Sequence, residues 1–368
     1  MILFIVVALA IIVGGHLGLY FSWLHFFQIN QPILKRVILA ILGVLSVSFV
    51  ATTVLLHFYE NRLTSWLYLM ASGWLGIAWY LALAMGLTWL GIALGGLTDM
   101  DLNVPLIASI FIALSLFYSV YGFLNADKIY VSEISVEIKN LPQAWNGRVA
   151  VLLSDIHLGA ILHEAFTARV ARAVNYINPD IVFIAGDLFD GVGKKLNNLA
   201  APLDLIEAPQ GIYYVTGNHE TLVGLKMSLE AVKKTKIVIL DDRAVEVDGL
   251  QILGISYPQP GEKRDIDSVL NKLDLARPSI ILYHEPKLSI IEKASKLGAS
   301  LFLAGHTHVG QIWPFNYITK IAYHDLDYGL HQVGHTAVYT SSGVGTWGPA
   351  MRSGNKPEIV KIILKQKK

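Results

Sequence analysis

The chain has 368 residues, of which 54% are hydrophobic and only 15% are charged, and its net charge is +1 at pH 7. This composition excludes an ordinary soluble protein, and the balanced charge without a basic stripe argues against a nucleic-acid partner. The charges are unevenly placed, because only six charged side chains precede residue 127: Lys35, Arg36, Glu60, Arg62, Asp99 and Asp101. We therefore predict a membrane domain at 1–126 and a water-exposed domain at 127–368.

The first domain contains four apolar stretches, each longer than the ~20 helical residues that cross a hydrocarbon core. They predict an all-α bundle of about four transmembrane helices at 1–26, 33–57, 66–97 and 104–124. We interpret the histidines of this half as anchors near the membrane interface, with a lipid or substrate groove as the alternative for His16.

The loop charges bear on which side of the membrane the second domain faces. Lys35 and Arg36 favour a cytoplasmic loop after the first helix, which places the second domain outside after four spans. Arg62 and Lys128 count against this orientation. We expect a multi-pass protein of a bacterial cytoplasmic membrane, with a slight preference for an extracytoplasmic second domain.

The second domain begins with an alternating stretch at 130–138 that predicts a half-buried strand. Two β-branched runs follow at 148–157 and 179–187, and the residues between them place apolar side chains on one helical face. Further short apolar runs continue to the end of the chain. This alternation predicts an α/β or α+β sandwich with many strands, in which two sheets are covered by helices.

Polar side chains follow several of these runs, where strands end and ligands usually gather. Each fragment alone is common in turns, but five in succession are hard to explain by chance. Together they suit a pair of divalent metals, because carboxylate oxygen and imidazole nitrogen bind manganese, iron, zinc or cobalt. The candidates are Asp155, His157, Asp187, Asp190, Asn218, His219, His284, His306 and His308.

The order of these fragments resembles the calcineurin-like metallophosphoesterase superfamily, and its membrane-associated bacterial branch in particular. The motifs are Asp-x-His, Gly-Asp-x-x-Asp, Gly-Asn-His-Glu, a lone His after a strand, and Gly-His-x-His, which together cover 148–312. The tail "GVGTWGPAMRSGNKPEIVKIIL" extends the resemblance. The chain departs from that branch at Val309, where glycine is usual.

The resemblance implies an α/β sandwich of two mixed β-sheets flanked by helices, and it implies a role for each candidate. One metal would be held by Asp155, His157, Asp187 and His308, and the second by Asp187, Asn218, His284 and His306. Asp187 would bridge the two ions, and His219 would contact the phosphoryl oxygen and protonate the leaving group. Asp190 would support the metal ligands, and Glu220 would do the same or be solvated. We expect manganese, with iron, zinc, cobalt or magnesium as alternatives.

These roles predict a membrane-anchored phosphohydrolase that uses metal-bound hydroxide to cleave a phosphoester or pyrophosphate bond of a lipid-linked substrate. One alternative is a broad phosphodiesterase on soluble substrates, with the helices only as a tether. Others are an enzyme similar to UDP-diacylglucosamine pyrophosphatase and a sensor whose helices gate hydrolysis. Arg352 would bind a phosphate group or form an ion pair, and Lys194 and Lys195 would form a solvated turn. The oligomeric state stays open.

Overall fold

The computed structural model describes residues 2–190, 196–274 and 276–367, so Lys194 and Lys195 lie outside the described residues. The chain divides into two compact units. The helical unit comprises Met1–Leu124 and the short segment Gly348–Ser353. The second unit comprises Asn125–Trp347 and Gly354–Lys368, and it is called the catalytic unit because it carries the residues predicted to act in catalysis. A six-residue piece of the C-terminal tail thus belongs to the helical unit.

The predicted transmembrane bundle is confirmed as four long helices, all apolar enough to cross a membrane. The second helix starts at a proline, whose fixed φ suits a first helical turn. The third starts earlier than predicted because Asn61 and Thr64 form a capping box ahead of the apolar run. The helices are α1 (Ile2–Phe26), α2 (Pro32–Phe58), α3 (Arg62–Leu97) and α4 (Val104–Ala126).

The segment 348–353 packs within the helical unit through apolar contacts and a hydrogen bond. Met351 lies against Gly76 and Gly122, where a Cβ would crowd its side chain. The Tyr118 hydroxyl donates to the carbonyl of Ser353 at 2.9 Å. Arg352 is buried. The small residues of α3 and α4 therefore make room for this segment.

The catalytic unit is an α/β sandwich of two six-stranded mixed sheets, as predicted. In the first sheet the order is β1, β12, β2, β3, β4, β5, and in the second it is β10, β11, β9, β8, β7, β6. The strands are β1 (Tyr130–Ile138), β2 (Val149–Leu153), β3 (Ile181–Ala185), β4 (Ile212–Val215), β5 (Val238–Ile239), β6 (Arg243–Val247), β7 (Leu250–Ile255), β8 (Ser279–Tyr283), β9 (Leu301–Ala304), β10 (Gly329–Val333), β11 (Thr336–Thr340) and β12 (Glu358–Gln366).

In the described part of this unit there are seven α-helices, and most of them cover the outer faces of the sheets. The helices are α5 (Glu164–Ile177), α6 (Leu196–Ala200), α7 (Asn218–Val223), α8 (Leu225–Val232), α9 (Ile266–Leu270), α10 (Leu288–Lys296) and α11 (Phe315–Ala322). One apolar core lies between the two sheets, and another lies on the outer face of each sheet. The central strands are consequently buried on both sides, which explains their continuous apolar sequences.

Candidate metal centre

The candidate residues lie at the carboxyl ends of five strands. In the first sheet, β2, β3 and β4 run parallel, and in the second sheet β8 and β9 run parallel. The loops that leave these strands carry all the candidate metal ligands: Asp155, His157, Asp187, Asn218, His284, His306 and His308. The structure brings them together from both sheets, which is the position that ligands favour in open α/β sheets.

Several of these loops hold non-glycine residues in the left-handed backbone region. Asp155, His157, Asp187, His306 and His308 have φ angles of 51°, 52°, 50°, 76° and 48°. Such residues are uncommon, and the strain that they carry collects at functional sites. Val309 shares the conformation with φ 48°, a backbone geometry that favours glycine, the residue usual at this position in the branch that the sequence resembles.

One cluster of donor atoms contains Asp155, His157 and His308. The two imidazoles face each other, with 2.9 Å between their Nε2 atoms. The Nε2 atom of His308 lies 3.5 Å from Oδ1 of Asp155. The backbone amide of His306 donates to both carboxylate oxygens of Asp155 and fixes its orientation. The cluster therefore presents its donor atoms to one point.

A second cluster contains Asn218, His284 and His306. The amide oxygen of Asn218 lies 2.9 Å from Nδ1 of His306 and 3.0 Å from Nε2 of His284. The two imidazole nitrogens are 3.1 Å apart. The Nδ1–H group of His284 can donate to the carbonyl of Ala185 at 2.8 Å. This hydrogen bond leaves Nε2 of His284 directed at the cluster.

Asp187 lies between the two clusters. Its Oδ2 atom is 3.8 Å from Nε2 of His157 and 3.2 Å from Nε2 of His284. Its Oδ1 atom accepts a hydrogen bond of 2.9 Å from the amide of His219. A Cβ at Gly217 would overlap this carboxylate, so the loop after β4 can approach Asp187 only with glycine at that position.

Glu220 holds the Asp187 loop in place through hydrogen bonds to backbone amides. Its buried carboxylate accepts hydrogen bonds from the amides of Asp187, Phe189 and Gly217, at 3.1, 3.1 and 2.6 Å. Sequence reasoning left support and solvation open for this residue, and the structure places it in the interior. Asp190 is buried beside His157, with 3.7 Å between its Oδ1 atom and Nδ1 of the imidazole.

His219 is held at the edge of the two clusters. Its Nδ1–H group can donate to the carbonyl of Asp190 at 2.8 Å, and its Nε2 atom lies 4.0 Å from Oδ2 of Asp187. The exposed Trp347 ring meets the imidazole edge to face at 5.9 Å. Gln311 positions Trp347 by accepting from its amide and donating to its carbonyl. The sequence analysis did not identify Trp347 as a site residue, because its only local signal was the glycine-rich stretch "GTWGP" that contains it.

The buried carboxyl groups gather negative charge that the protein only partly balances. Burial, together with the charge of Asp187, raises the pKa of Asp155 to about 6 and that of Glu220 to about 7, while His284 acts in the opposite direction. Burial and the same charge raise the pKa of Asp190 well above its usual value. Bound cations would stabilise all of these groups in their ionised forms.

Asp187 and His284 form a strongly polarised pair in the site. Burial alone would raise the pKa of Asp187, but the charges of His284, His219 and His157 outweigh it and lower the pKa. Burial alone would lower the pKa of His284, but the charge of Asp187 raises it to about 10. Burial and the charge of His284 lower the pKa of His306 to about 3. In the absence of a cation, His284 thus carries the charge that neutralises Asp187.

The donor set fits two divalent ions. Ligands about 2.1 Å from an octahedral ion lie about 3 Å from one another, which matches the spacing in both clusters. Among the described residues, potential ligand atoms form three groups in which all atoms lie within 4.8 Å of one another, and Asp187 belongs to two of these groups. Imidazole nitrogens at such distances can share one proton, and once deprotonated they can coordinate a common cation. The fold and site define a hydrolase of the two-metal class.

Comparison with known proteins agrees with this class. The family model described as calcineurin-like phosphoesterase matches residues 149–310. A metallophosphoesterase of Campylobacter jejuni is 35% identical over 305 residues, which cover 78% of each chain. One from Aquifex aeolicus is 30% identical, over 67% of this chain and 96% of its own. The chain therefore belongs to the calcineurin-like metallophosphoesterase family.

An animal relative shares the combination of features seen here. A zebrafish protein described as a transmembrane protein with metallophosphoesterase domain is 33% identical over 67% of this chain. The match covers 60% of the zebrafish protein, so this chain spans less than two thirds of that relative's length. Relatives thus come from animals as well as bacteria.

Proposed function

We propose that this protein is a membrane-anchored phosphohydrolase that uses two divalent metal ions to cleave a phosphoester or pyrophosphate bond, with a lipid-linked molecule as its substrate. The observation that carries the hydrolytic part is the position of Asp187 between two donor clusters. Its Oδ2 atom lies within 3.8 Å of an imidazole nitrogen from each cluster. A shared carboxylate at this place suits two neighbouring ions.

The clusters divide the ligands between the two ions. Asp155, His157, Asp187 and His308 would hold the first ion. Asp187, Asn218, His284 and His306 would hold the second. When bound, the two ions lower the pKa of a water molecule and stabilise the charge that develops on the phosphoryl oxygens. Manganese is our first choice, because mixed oxygen and imidazole ligands suit it, and iron, zinc, cobalt or magnesium are the alternatives.

His219 would act on the leaving group. The Asp190 carbonyl fixes its Nδ1 atom, which leaves Nε2 directed toward Asp187 and the metal ligands. A protonated Nε2 can donate to a phosphoryl or leaving-group oxygen, and proton donation of this kind accelerates reactions by about 10²–10⁴-fold. His219 is therefore the proposed catalytic side chain, and Trp347 borders the same side of the site.

A short connection supports a substrate at the membrane surface. Helix α4 ends at Ala126 and β1 begins at Tyr130. An extended chain crosses at most about 14 Å between these two residues. The tether therefore keeps the catalytic unit close to the bilayer, where lipid headgroups are concentrated. The charges at Lys35 and Arg36 favour the extracytoplasmic face for this reaction.

The test compares the purified full chain with Asn218→Ala, and with Asn271→Ala as a matched change at an exposed asparagine of the same unit. Each protein is loaded with manganese, its metal content is measured, and it is incubated with total bacterial lipid extract and separately with a soluble aryl phosphodiester. Mass spectrometry follows the lipids. We expect Asn218→Ala to bind less metal and to lose most activity, while Asn271→Ala behaves as the wild type.

The outcomes separate the parts of the proposal. Metal-dependent loss of one phospholipid or pyrophospholipid supports the lipid-linked substrate. Hydrolysis of the soluble diester without change in any lipid would reject that substrate and favour a tethered phosphodiesterase. Full metal content and an unchanged rate in Asn218→Ala would overturn the assignment of the second ion.

A further inference from the structure

Helix α11 of the catalytic unit exposes an apolar face. None of its eight residues is buried. Tyr317, Ile318 and Ile321 are 59%, 60% and 78% exposed, and their spacing places them on one side of the helix. Trp313, four residues before Tyr317, is also exposed. Single exposed apolar residues are ordinary, but a cluster of this kind marks an interaction surface.

The same helix is joined to the candidate metal centre at both ends. At its start, a Cβ on Gly310 would overlap the backbone of Phe315 and Asn316, so the ligand loop and the first turn are in close contact. Gly310 has φ +70° and follows the ligand His308 by two residues. At its end, the ring of Tyr323 meets the His306 imidazole edge to face at 5.9 Å.

The residue types on this face suit a lipid bilayer. Tryptophan and tyrosine concentrate at the boundary between headgroups and hydrocarbon, and isoleucine inserts just below it. Lys320 is exposed on the helix and lies 3.3 Å from Asp325, so its amine stays in the polar layer. Four helices of the same chain are long and apolar enough to cross a membrane, and only residues 127–129 connect the last of them to β1.

We propose that α11 lies in the headgroup region of the bilayer, with Tyr317, Ile318 and Ile321 inserted into the upper part of the hydrocarbon. This contact brings the ligand loop containing His306 and His308 to the level of lipid headgroups. It gives a lipid-linked phosphate a route from the bilayer to the metal centre without passage through water. In this respect the inference rests on the proposed function, whereas the bilayer contact itself does not require hydrolysis.

The chain contains no cysteine, so a single cysteine can be labelled without other changes. We would prepare Ile318→Cys and Ile321→Cys with a small fluorophore, in full-length protein reconstituted into phospholipid nanodiscs. Tyr176→Cys serves as the matched control, because Tyr176 is 93% exposed on α5 of the same unit. Phe21→Cys, on helix α1, which is long and apolar enough to cross the membrane, provides the reference for a label inside the bilayer. Lipids brominated near the headgroup end or near the middle of the acyl chain act as quenchers.

We expect labels at 318 and 321 to be quenched about twofold or more by bromines near the headgroup end and less by deeper ones, as for a helix in the interface. The label at 176 should be unaffected. Equal quenching at 176, 318 and 321 would overturn the proposal. Protection of 318 and 321 from aqueous iodide without lipid quenching would also overturn it, and would indicate a protein partner on this face. Because the readout is independent of activity, a failure of lipid hydrolysis leaves this result intact.

Discussion

The helical and catalytic units bury their polar side chains in opposite ways. Within helices α1–α4, the described hydrogen bonds of buried polar side chains are local or pairwise, such as that from the indole of Trp74 to Nε2 of His16 at 2.9 Å. In the catalytic unit, several carboxylates and imidazoles share one buried place, with Asp187 in contact with both donor clusters. The first arrangement gives each polar group a hydrogen-bond partner in apolar surroundings. The second brings together carboxylates and imidazoles that can bind a cation.

Because of this difference, the metal centre can be recognised from sequence motifs, whereas the contacts between helices cannot. Clustered ligands need particular residues at particular strand ends, so their identity can be read from the chain. Pairwise contacts between helices need only a donor and an acceptor at matching depth, and many sequences provide them. The two units should therefore respond differently to single substitutions: a change in the metal centre should affect the whole site, and a change between helices should affect one pair.

The largest effect is expected for Asp187→Asn. The amide can still accept from the His219 backbone, so the fold should persist, but the bridging negative charge is lost. We expect metal content to fall and kcat/KM to decrease by more than about 10⁴-fold, or about 5 kcal/mol of transition-state stabilisation. Elemental analysis and a diester assay measure both, with Asp267→Asn, at an exposed ion pair, as the control. Retention of both ions and of activity would show that Asp187 does not join the clusters.

A smaller loss is expected for His219→Gln. The side chain lies beside the donor clusters, and it would act by donating a proton from Nε2, so metal content should stay unchanged. We expect kcat to decrease by about a hundredfold for an alkyl ester. An aryl ester whose leaving group needs no proton should be affected much less. Equal losses for both esters would assign His219 to phosphoryl binding instead of proton donation.

Glu220→Gln should act through the Asp187 loop. Glutamine retains one acceptor oxygen, so its amide group would face a backbone N–H group that the carboxylate now satisfies. We expect the free energy of unfolding to fall by about 1–3 kcal/mol. The affinity for metal should fall by about 10–100-fold, as for other partners that orient ligands. Urea titration and metal competition test these effects, and unchanged values in both would assign Glu220 no supporting role.

The sequence predicted the fold class of both units, but not every element within the second one. Hydrophobic length identified four spans, and polar residues after β-rich runs identified every side chain in the two donor clusters. Trp347 and the burial of Glu220 could not be predicted, because both depend on contacts between loops that are distant in the chain. The inclusion of 348–353 in the helical unit was also missed, since Met351 and Ser353 carry no periodic signal.

The smallest effect is expected in the helical unit, for the pair His16 and Trp74. The Nδ1–H group of His16 can donate to the Ile12 carbonyl at 2.8 Å, which leaves Nε2 to accept from the indole. This geometry favours a packing role over the lipid groove that the sequence left open for His16. A double-mutant cycle with His16→Phe and Trp74→Phe, measured by unfolding in detergent, should give a coupling of about 0.6 kcal/mol, typical of hydrogen bonds between membrane helices. Phosphoesterase activity on a soluble diester should stay unchanged in each variant. A coupling of several kcal/mol, or a lost activity, would mean that the helical unit contains a concentrated polar site after all, and the contrast between the two units would then fail.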